Sequence, residues 1–186
     1  MLWFERDRDG GGGPLPPERW REYCLSSVTT HDLPPTAGYL AGDHVRLRES
    51  LGLLTRPAAE ELESGRAELA AWLAELRRVG LLDADGVRGT DGTDGTDGTD
   101  SVEGIVVALH RYLGLTPSRL VGVALTDAVG DRRTQNQPGT TDEYPNWRVP
   151  LTGPDGRAML LEDVFTDSRV AALADAVRAA ITPAAG

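Results

Sequence analysis

The sequence contains no lysine, so every permanently ionised basic side chain is an arginine. Only 19 basic residues face 29 aspartates and glutamates, and the formal net charge is −10 at pH 7. Nucleic acids and anionic membrane surfaces are also negatively charged, so neither gains free energy by contacting this surface. The composition therefore argues against nucleic-acid and membrane binding and favours a neutral or cationic partner.

Cysteine occurs once, at Cys24, so no disulfide can form within the chain. No charged segment followed by an apolar stretch opens the sequence, and no apolar run reaches the roughly 18 residues that a membrane span requires. These features predict a protein of the reducing cytoplasm. The 3 histidines and the cysteine are too dispersed to indicate a metal site, and we expect no metal and no cofactor.

Aromatic residues are also scarce, at 5% of the chain, while 22 glycines and 12 prolines dilute the apolar packing. A chain of 186 residues is nevertheless long enough for one domain with a core. Residues 89–100 repeat Gly-Thr-Asp and offer no apolar side chain to bury. We predict that this segment is a disordered insert.

Hydrophobic patterning predicts strands that alternate with helices. The opening residues 1–5 have strand character, and two further strands are predicted at 23–30, which includes Cys24 as a buried thiol, and at 120–125, buried on both faces. Helices are predicted at residues 36–51, 60–79, 102–113 and 167–181, with a polar loop at 126–149. This order predicts an α/β fold with parallel strands and with its chemistry at the C-terminal strand ends.

Polar segments follow the two later predicted strands. His31 and Asp32 come directly after the strand at 23–30 and precede Pro34 and Pro35. A His-Asp pair alone is a weak indication of catalysis, because an aspartate before a proline-started helix also serves as an N-cap. The segment after the last strand is long, polar and shaped by proline and glycine, which favours a functional loop.

Four motifs occur in a fixed order along the chain. They read LWFERD at residues 2–7, TTHDLP at 29–34, TPSRLV at 116–121 and NQPGTTDEYPNWR at 136–148. Together they resemble the motifs of glycoside hydrolase family 77, the 4-alpha-glucanotransferases, also called amylomaltases or disproportionating enzymes. The resemblance covers about residues 1–165 apart from the repeat, and it identifies the chain as a C-terminal fragment of such an enzyme.

The resemblance implies an α-amylase-type (β/α)8 TIM barrel with extra helices. In that barrel, residues 1–5 would form strand 6, residues 23–30 strand 7 and residues 120–125 strand 8. The whole chain, 1–186, would then be the C-terminal portion of the catalytic barrel, with residues 89–100 as an insert. The nucleophilic aspartate and the acid/base glutamate of the family would lie upstream of this chain.

The resemblance also implies roles for individual residues. Asp32 would be the family's third catalytic carboxylate, which stabilises the transition state, and His31 would donate to a sugar hydroxyl beside it. Asn136 and Gln137 would contact sugar hydroxyls. Trp147 would be either a stacking platform for a sugar or a packed anchor for its loop, and both alternatives stay open. Glu5 or Asp7 could line an acceptor subsite, and of the two we select Glu5.

The remaining candidates match no catalytic position of the family. We expect the other acidic residues to be solvated surface charges, and the two other histidines to lie on a helix surface or at the edge of the core. These residues are Asp7, Asp9, Asp127, Asp131, Asp142 and Glu143 among the acids, and His44 and His110 among the histidines.

The function implied by the resemblance is retaining transfer of α-1,4-glucan segments between malto-oligosaccharides, maltodextrin and glucose. This chain would supply only Asp32 and part of the glucan site, so it would need the N-terminal barrel portion and would be inactive alone. The alternative is a non-catalytic glucan-binding remnant, or a partner of a separately encoded N-terminal chain.

Overall fold

The computed structural model describes residues 1–83 and 101–182 of the chain. The Gly-Thr-Asp repeat at 89–100, predicted to be disordered, lies outside the described residues. The described elements are short 3-10 helices at Leu2–Phe4 and Pro17–Arg19, strands β1 (Leu25–Ser27) and β2 (Leu120–Gly122), and helices α1 (Thr36–Leu40), α2 (Asp43–Ser50), α3 (Ala58–Arg78), α4 (Val102–Leu113), α5 (Leu125–Val129), α6 (Leu161–Thr166) and α7 (Ser168–Ile181).

The two strands pair in parallel, with Leu25 opposite Leu120 and Ser27 opposite Gly122. The chain between them forms helices α1 to α4, so the prediction of parallel strands separated by helices is confirmed. Both strands are shorter than the predicted ranges 23–30 and 120–125. The pairing of β2 with β1 stops at Gly122, because α5 begins soon afterwards at Leu125.

The prediction that residues 120–125 are buried on both faces is wrong. Leu120 is 64% exposed and Leu125 is 49% exposed, whereas Ser26, which points to the other face of the strand pair, is fully buried. Val121 packs against the core. Helix α4 packs on the face that carries Ser26 and Val121, whereas Leu120 lies on the opposite, open face.

The predicted strand at residues 1–5 is replaced by a 3-10 helix at Leu2–Phe4. The amide N–H groups of Phe4 and Glu5 donate to the carbonyl oxygens of Met1 and Leu2, each at 3.1 Å. No strand among the described residues lies beside this segment, so its backbone groups pair locally. Leu2 and Trp3 are buried, which explains the apolar run without a strand.

The long helices agree with the sequence predictions. Helix α3 ends at Arg78, two residues before Gly80, whose φ of +74° is a left-handed conformation that suits glycine at a helix end. Helix α4 has the predicted bounds, and the Ser101 hydroxyl accepts a 3.1 Å hydrogen bond from the Gly104 amide at its first turn.

The shorter helices depart from the predictions. The helix predicted at 36–51 divides into α1 and α2 at Gly42, whose φ of +74° interrupts the helical path. The loop predicted at 126–149 contains most of α5, and α6 was not predicted at all. Both unpredicted helices have only 5 and 6 residues, too short for a clear helical period.

Three aromatic side chains meet in the core between α3 and α4. Trp72 on α3 and Tyr112 on α4 are fully buried, with their rings perpendicular and their centroids 5.5 Å apart. Trp20 meets the same tyrosine at 6.2 Å. A second apolar cluster joins α4 to α7 through Val106, Leu173 and Val177. Helix α4 therefore lies at the centre of the packing, behind the two strands.

Candidate active site

A tight turn follows β1 and carries the first pair of candidate residues. The amide of Leu33 donates to the carbonyl of Thr30 at 3.1 Å, and the Thr29 hydroxyl donates to the carbonyl of Pro34 at 2.9 Å. These bonds hold His31 and Asp32 at the tip, where their side chains are 56% and 51% exposed. Both residues therefore stand at the C-terminal end of a strand, as predicted.

The loop after β2 contacts this turn directly. The side-chain amide of Asn136 donates a 2.6 Å hydrogen bond to Asp32 Oδ1, across 104 positions of sequence. The backbone amide of Asn136 donates to the carbonyl of His31 at 3.2 Å. His31 Nε2 lies 3.3 Å from Asp32 Oδ2. The structure thus assembles three of the predicted site residues into one contact network.

Trp147 joins the same network from the far end of the loop. Its ring centroid lies 4.8 Å from that of His31, with the planes tilted by 49°. Its backbone has a φ of +63°, which is rare for a bulky residue and is a form of strain concentrated at functional positions. The side chain is 63% exposed, so the ring is not packed into the core.

Gln137 is held in place by Asn146, a residue that was not among the predicted site residues. Its backbone amide donates to Asn146 Oδ1 at 2.7 Å, and the Asn146 side-chain amide donates to the Thr140 hydroxyl at 2.8 Å. Asn146 therefore holds the end of the NQPGTTDEYPNWR motif against its beginning. Its position beside Trp147 in the NWR motif is the signal that could have identified it.

A cleft of about 690 Å³ opens beside Asp32. Gln137 lines it, and the remaining wall includes Trp3, Phe4, Arg6, Tyr39, His44 and Arg48. Glu5 is not among the lining residues, and its carboxylate instead lies 3.8 Å from the N-terminal amine of Met1. The structure therefore does not bring Glu5 to the cleft, although Phe4 and Arg6 on either side of it do line the wall.

The cleft wall contains a stack of rings that the sequence did not reveal. The ring of Tyr39 lies 4.5 Å from that of Trp3 and 4.8 Å from that of His44, almost parallel to the latter. The Tyr39 hydroxyl donates to Glu68 at 2.6 Å, and Glu68 also accepts from Arg6. Burial raises the pKa of Tyr39. Burial, with the neighbouring Arg48, lowers the pKa of His44, so this wall holds a neutral imidazole at neutral pH.

Several other acidic candidates have structural partners outside the cleft. Asp7 accepts from Arg19 at 2.7 Å and from the Gly10 amide at 3.1 Å, and the bond from Arg19 lowers its pKa. Asp142 and Glu143 are exposed, as predicted. The Thr141 amide donates to Glu143 at 2.7 Å and lowers the pKa of that carboxyl.

The expectation that Asp127 and Asp131 are solvated surface charges is wrong, because they are 4% and 0% exposed. Asp131 accepts from the backbone amides of Arg133 and Thr152, both at 2.9 Å. The Arg133 guanidinium donates to Asp131 and to the carbonyl of Pro150. Asp131 therefore ties together the two ends of the loop that carries Asn136 and Trp147.

Asp127 caps the helix that follows the turn. Its carboxylate accepts from the Thr36 amide at 2.7 Å and from the Thr36 hydroxyl at 2.8 Å. The alternative interpretation of Asp32 as the cap of this helix is therefore wrong, because Asp32 bonds to Asn136 instead. His110, expected near a helix surface, is 1% exposed, and its Nε2 lies 3.7 Å from Asp127.

Cys24 is half-buried, not buried within a strand as expected. It lies one residue before β1, where its thiol is 3.2 Å from the carbonyl of Arg21 and 3.5 Å from the Ser118 hydroxyl. Within residues 1–83 and 101–182, no helix combines the length and the apolar character of a membrane span. The same ranges hold no group of three or more histidine, cysteine or acidic side chains arranged around a common metal position.

Comparison with known proteins gives three related findings. A family model described as 4-alpha-glucanotransferase matches residues 1–155. The chain is 75% identical over 184 residues to the 4-alpha-glucanotransferases of Mycobacterium bovis and Mycobacterium tuberculosis, a match that covers 98% of this chain and 24% of theirs. It is 37% identical to the amylomaltase of Corynebacterium glutamicum, whose crystal structure matches with a TM-score of 0.81 over 95% of this chain and 24% of that one. The chain therefore spans about a quarter of the length of these relatives.

Proposed function

The chain belongs to glycoside hydrolase family 77, the 4-alpha-glucanotransferases, and on that premise we propose that it forms part of an active site that transfers α-1,4-glucan segments. The observation that carries this proposal is the hydrogen bond from Asn136 to Asp32, which joins the turn after β1 to the loop after α5. The donors and acceptors would be malto-oligosaccharides, maltodextrin and glucose. These uncharged sugars suit a chain with a net charge of −10 better than a polyanion would.

We assign β1 and β2 to the seventh and eighth strands of an α-amylase-type (β/α)8 barrel. Their parallel pairing supports this assignment, as does the position of the site at their C-terminal ends. The other strands would come from the part of the relatives that this chain does not span. The open face around Leu25 and Leu120 would lie toward those strands.

The chemistry requires more carboxyl groups than this chain supplies. Retaining transfer uses a nucleophile and an acid/base carboxyl about 5 Å apart, and the sugar passes through an oxocarbenium-like transition state. Asp32 stands as the third carboxylate of the family, fixed beside that developing positive charge, where a preorganised anion binds the transition state more tightly than the ground state. The nucleophile and the acid/base group would come from the remaining part of the enzyme.

The contacts of Asp32 leave it ready to bind a sugar. Asn136 occupies one side of Oδ1, while a carboxylate offers about four acceptor positions in total. Oδ2 and the adjacent His31 Nε2 remain at the exposed tip and would grip neighbouring hydroxyls of one glucosyl unit. Neither residue is a nucleophile in this mechanism. Their shared task is to hold the distorted ring.

Trp147 and Gln137 would complete the glucan site. An exposed indole above His31 offers a flat apolar face to a sugar ring, which supports the platform role over the packed anchor. Gln137 lines the cleft and would contact hydroxyls there. The volume of about 690 Å³ lies in the usual range for a ligand pocket. We further propose that the enzyme acts without a cofactor and that it is located in the cytoplasm. The single cysteine supports the location.

The test is to place this chain in a complete enzyme. A chimera would carry it in place of the matching 184 residues of the Mycobacterium tuberculosis relative. With maltotriose, we expect the chimera to produce glucose and longer oligomers, and we expect the 186-residue chain alone to produce neither. A folded chimera that binds maltotriose but never transfers would contradict the proposal and favour the glucan-binding remnant.

A further inference from the structure

Asp127 is a buried carboxyl group behind the turn that carries Asp32. Both of its oxygens accept from Thr36, one from the backbone amide and one from the hydroxyl, across 91 positions of sequence. Thr36 is itself fully buried and is the first residue of α1. The start of that helix is therefore held by a residue from a distant part of the chain.

Little freedom separates this anchor from the site. Pro34 and Pro35 connect the turn to Thr36, and each proline ring fixes its own φ angle. The Thr29 hydroxyl also bonds to the carbonyl of Pro34. A displacement of Thr36 would therefore be transmitted to Asp32, and a displacement of about 1 Å at a catalytic group can cost about 10²-fold in rate.

His110 on α4 is the second neighbour of Asp127. Its contacts indicate which of the two side chains carries a proton. His110 Nδ1 lies 2.8 Å from the carbonyl of Val106, which can only accept, so Nδ1 carries a hydrogen. In the neutral imidazole, Nε2 is then a bare lone pair. It is buried, it has no hydrogen-bond partner among the described residues, and it lies 3.7 Å from Asp127 Oδ2.

An anionic Asp127 opposite that lone pair would be repelled by it. A protonated Asp127 would point its O–H toward the lone pair, across 3.7 Å, which is longer than a hydrogen bond. Burial raises the pKa of Asp127, and it outweighs the charge of His110 and the two bonds from Thr36, which favour the anion. Burial also lowers the pKa of His110 and outweighs the opposing charge of Asp127. The other charged groups around Asp127 are Glu103 on α4 and Arg169 on α7, which line the adjoining cavity of about 260 Å³. Arg169 is held by Asp167, so it offers Asp127 no ion pair.

We propose that Asp127 is a positioning residue for Asp32, and that it acts as a neutral acid which fixes the start of α1 beside His110. The proposal rests on the proposed function, because it treats Asp32 as the carboxylate that must be positioned. Asp127 does not touch substrate in this role. It acts through Thr36 and the two prolines.

Two substitutions at Asp127 distinguish a neutral, protonated Asp127 from an ionised Asp127 paired with a protonated His110. Asp127→Asn imitates the protonated acid, because its carbonyl oxygen can accept from the Thr36 amide while its NH2 group donates toward His110 Nε2. Asp127→Ala removes both contacts. The matched control is Asp163→Ala, which removes an aspartate that caps a different helix, α6, through the Leu160 amide at 2.9 Å.

In the chimera with maltotriose, we expect Asp127→Ala to lower kcat about tenfold or more while KM changes less than about twofold. We expect Asp127→Asn to stay within about threefold of the unmodified chimera, and Asp163→Ala to be unchanged. The positioning role is overturned if Asp127→Ala has normal kcat. The neutral acid is overturned if Asp127→Asn is as impaired as Asp127→Ala.

Nuclear magnetic resonance of the 186-residue chain gives a second readout that does not depend on catalysis. From about pH 5 to about pH 8, we expect the ¹⁵N signals of His110 to report a neutral ring protonated at Nδ1. An imidazolium signal throughout that range would overturn the neutral acid. The amide signals of His31 and Asp32 should move in Asp127→Asn far less than in Asp127→Ala. An inactive unmodified chimera would count against the proposed function alone, and these signals would then decide the present proposal.

Discussion

The side-chain amide of Asn136 donates to the carboxylate of Asp32 at 2.6 Å, and its backbone amide reaches the carbonyl of the preceding His31. One asparagine therefore fixes both the orientation of the carboxylate and the turn that carries it. A bond between a neutral donor and a carboxylate is stronger than one between two neutral groups. We therefore predict that the loop carrying Asn136 influences catalysis as well as substrate binding.

Replacing Asn136 by alanine should free Asp32 to rotate. In the chimera, we expect kcat to fall about tenfold and the free energy of unfolding to fall by about 1 kcal/mol, since one charge-assisted hydrogen bond is lost. Transfer from maltotriose and thermal unfolding measure the two effects. Asp142→Asn, an exposed change in the same loop, is the control and should alter neither. Normal turnover in Asn136→Ala would show that the contact is incidental.

Replacing Asp32 by asparagine preserves its size but removes the negative charge. We expect turnover to fall about 10²-fold or more with little change in melting temperature, because the lost interaction forms in the transition state. Initial rates of maltotriose disproportionation are the measurement. Glu143→Gln neutralises another acid near the site, one that is exposed, and should retain activity. Turnover within a few-fold of the unmodified chimera would show that Asp32 is not a catalytic residue.

Trp147 can be tested as a platform or as an anchor. Loss of a stacking surface in Trp147→Ala should raise KM about tenfold, equivalent to about 1.4 kcal/mol, and should leave kcat nearly unchanged. Trp147→Phe should recover most of the affinity. Tyr23→Ala is a suitable control, because that ring is 84% exposed but precedes β1. A lower melting temperature with an unaltered KM would identify the ring as a packed anchor.

Replacing the buried Asp131 should lower the free energy of unfolding more than replacing an exposed aspartate does. Asp131→Ala leaves the buried amide of Thr152 without its acceptor and leaves the Arg133 guanidinium only the carbonyl of Pro150. We therefore expect the free energy of unfolding to fall by about 3 kcal/mol. Asp155→Ala breaks an exposed pair with Arg157 and should cost less than about 0.5 kcal/mol. Chemical denaturation of the two variants compares them directly. Equal losses of stability in the two variants would mean that the buried hydrogen bonds of Asp131 do not stabilise the loop.

His44 should make stability depend on pH. Its pKa is lowered in the folded chain by burial and by Arg48, so the unfolded chain binds more protons when the pH falls below about 6.5. The free energy of unfolding should therefore decrease as the solution is acidified through this range. His44→Phe keeps a ring against Tyr39 but cannot titrate, and its stability should decrease less over the same interval. Parallel pH profiles for both proteins would contradict this account.

The sequence predicted the long helices and the position of the candidate site at the C-terminal ends of the strands for clear physical reasons. Helices α3 and α4 have enough turns to display a helical period, and Gly80 and Ser101 mark their ends. The position of the site follows from a general property of parallel strands, whose C-terminal ends lie at one edge of a sheet. The contact between Asp32 and Asn136 is seen only in the structure. Their individual roles in catalysis remain predictions.

Burial of single polar residues could not be predicted in the same way. Asp127 belongs to a helix of 5 residues, and what buries it is Thr36, 91 positions away, together with His110. Nothing in its local sequence distinguishes it from an exposed aspartate such as Asp142. The apolar run at residues 1–5 was misleading for a related reason, since a short run without alternation fits a strand and a buried 3-10 turn equally well.

The pairing of Ser26 with Val121 joins strands that are far apart in sequence, which predicts an order of folding. Helices α3 and α4 form from contacts between near neighbours in sequence, whereas the strand pair must close a loop of more than ninety residues, with 94 positions between Ser26 and Leu120. Closing so long a loop carries an entropic cost, which is recovered only when α4 is already available as a packing surface. We therefore expect the helices to acquire protection from hydrogen exchange first. The turn at Asp32 and the loop at Asn136 would reach each other among the last steps of folding.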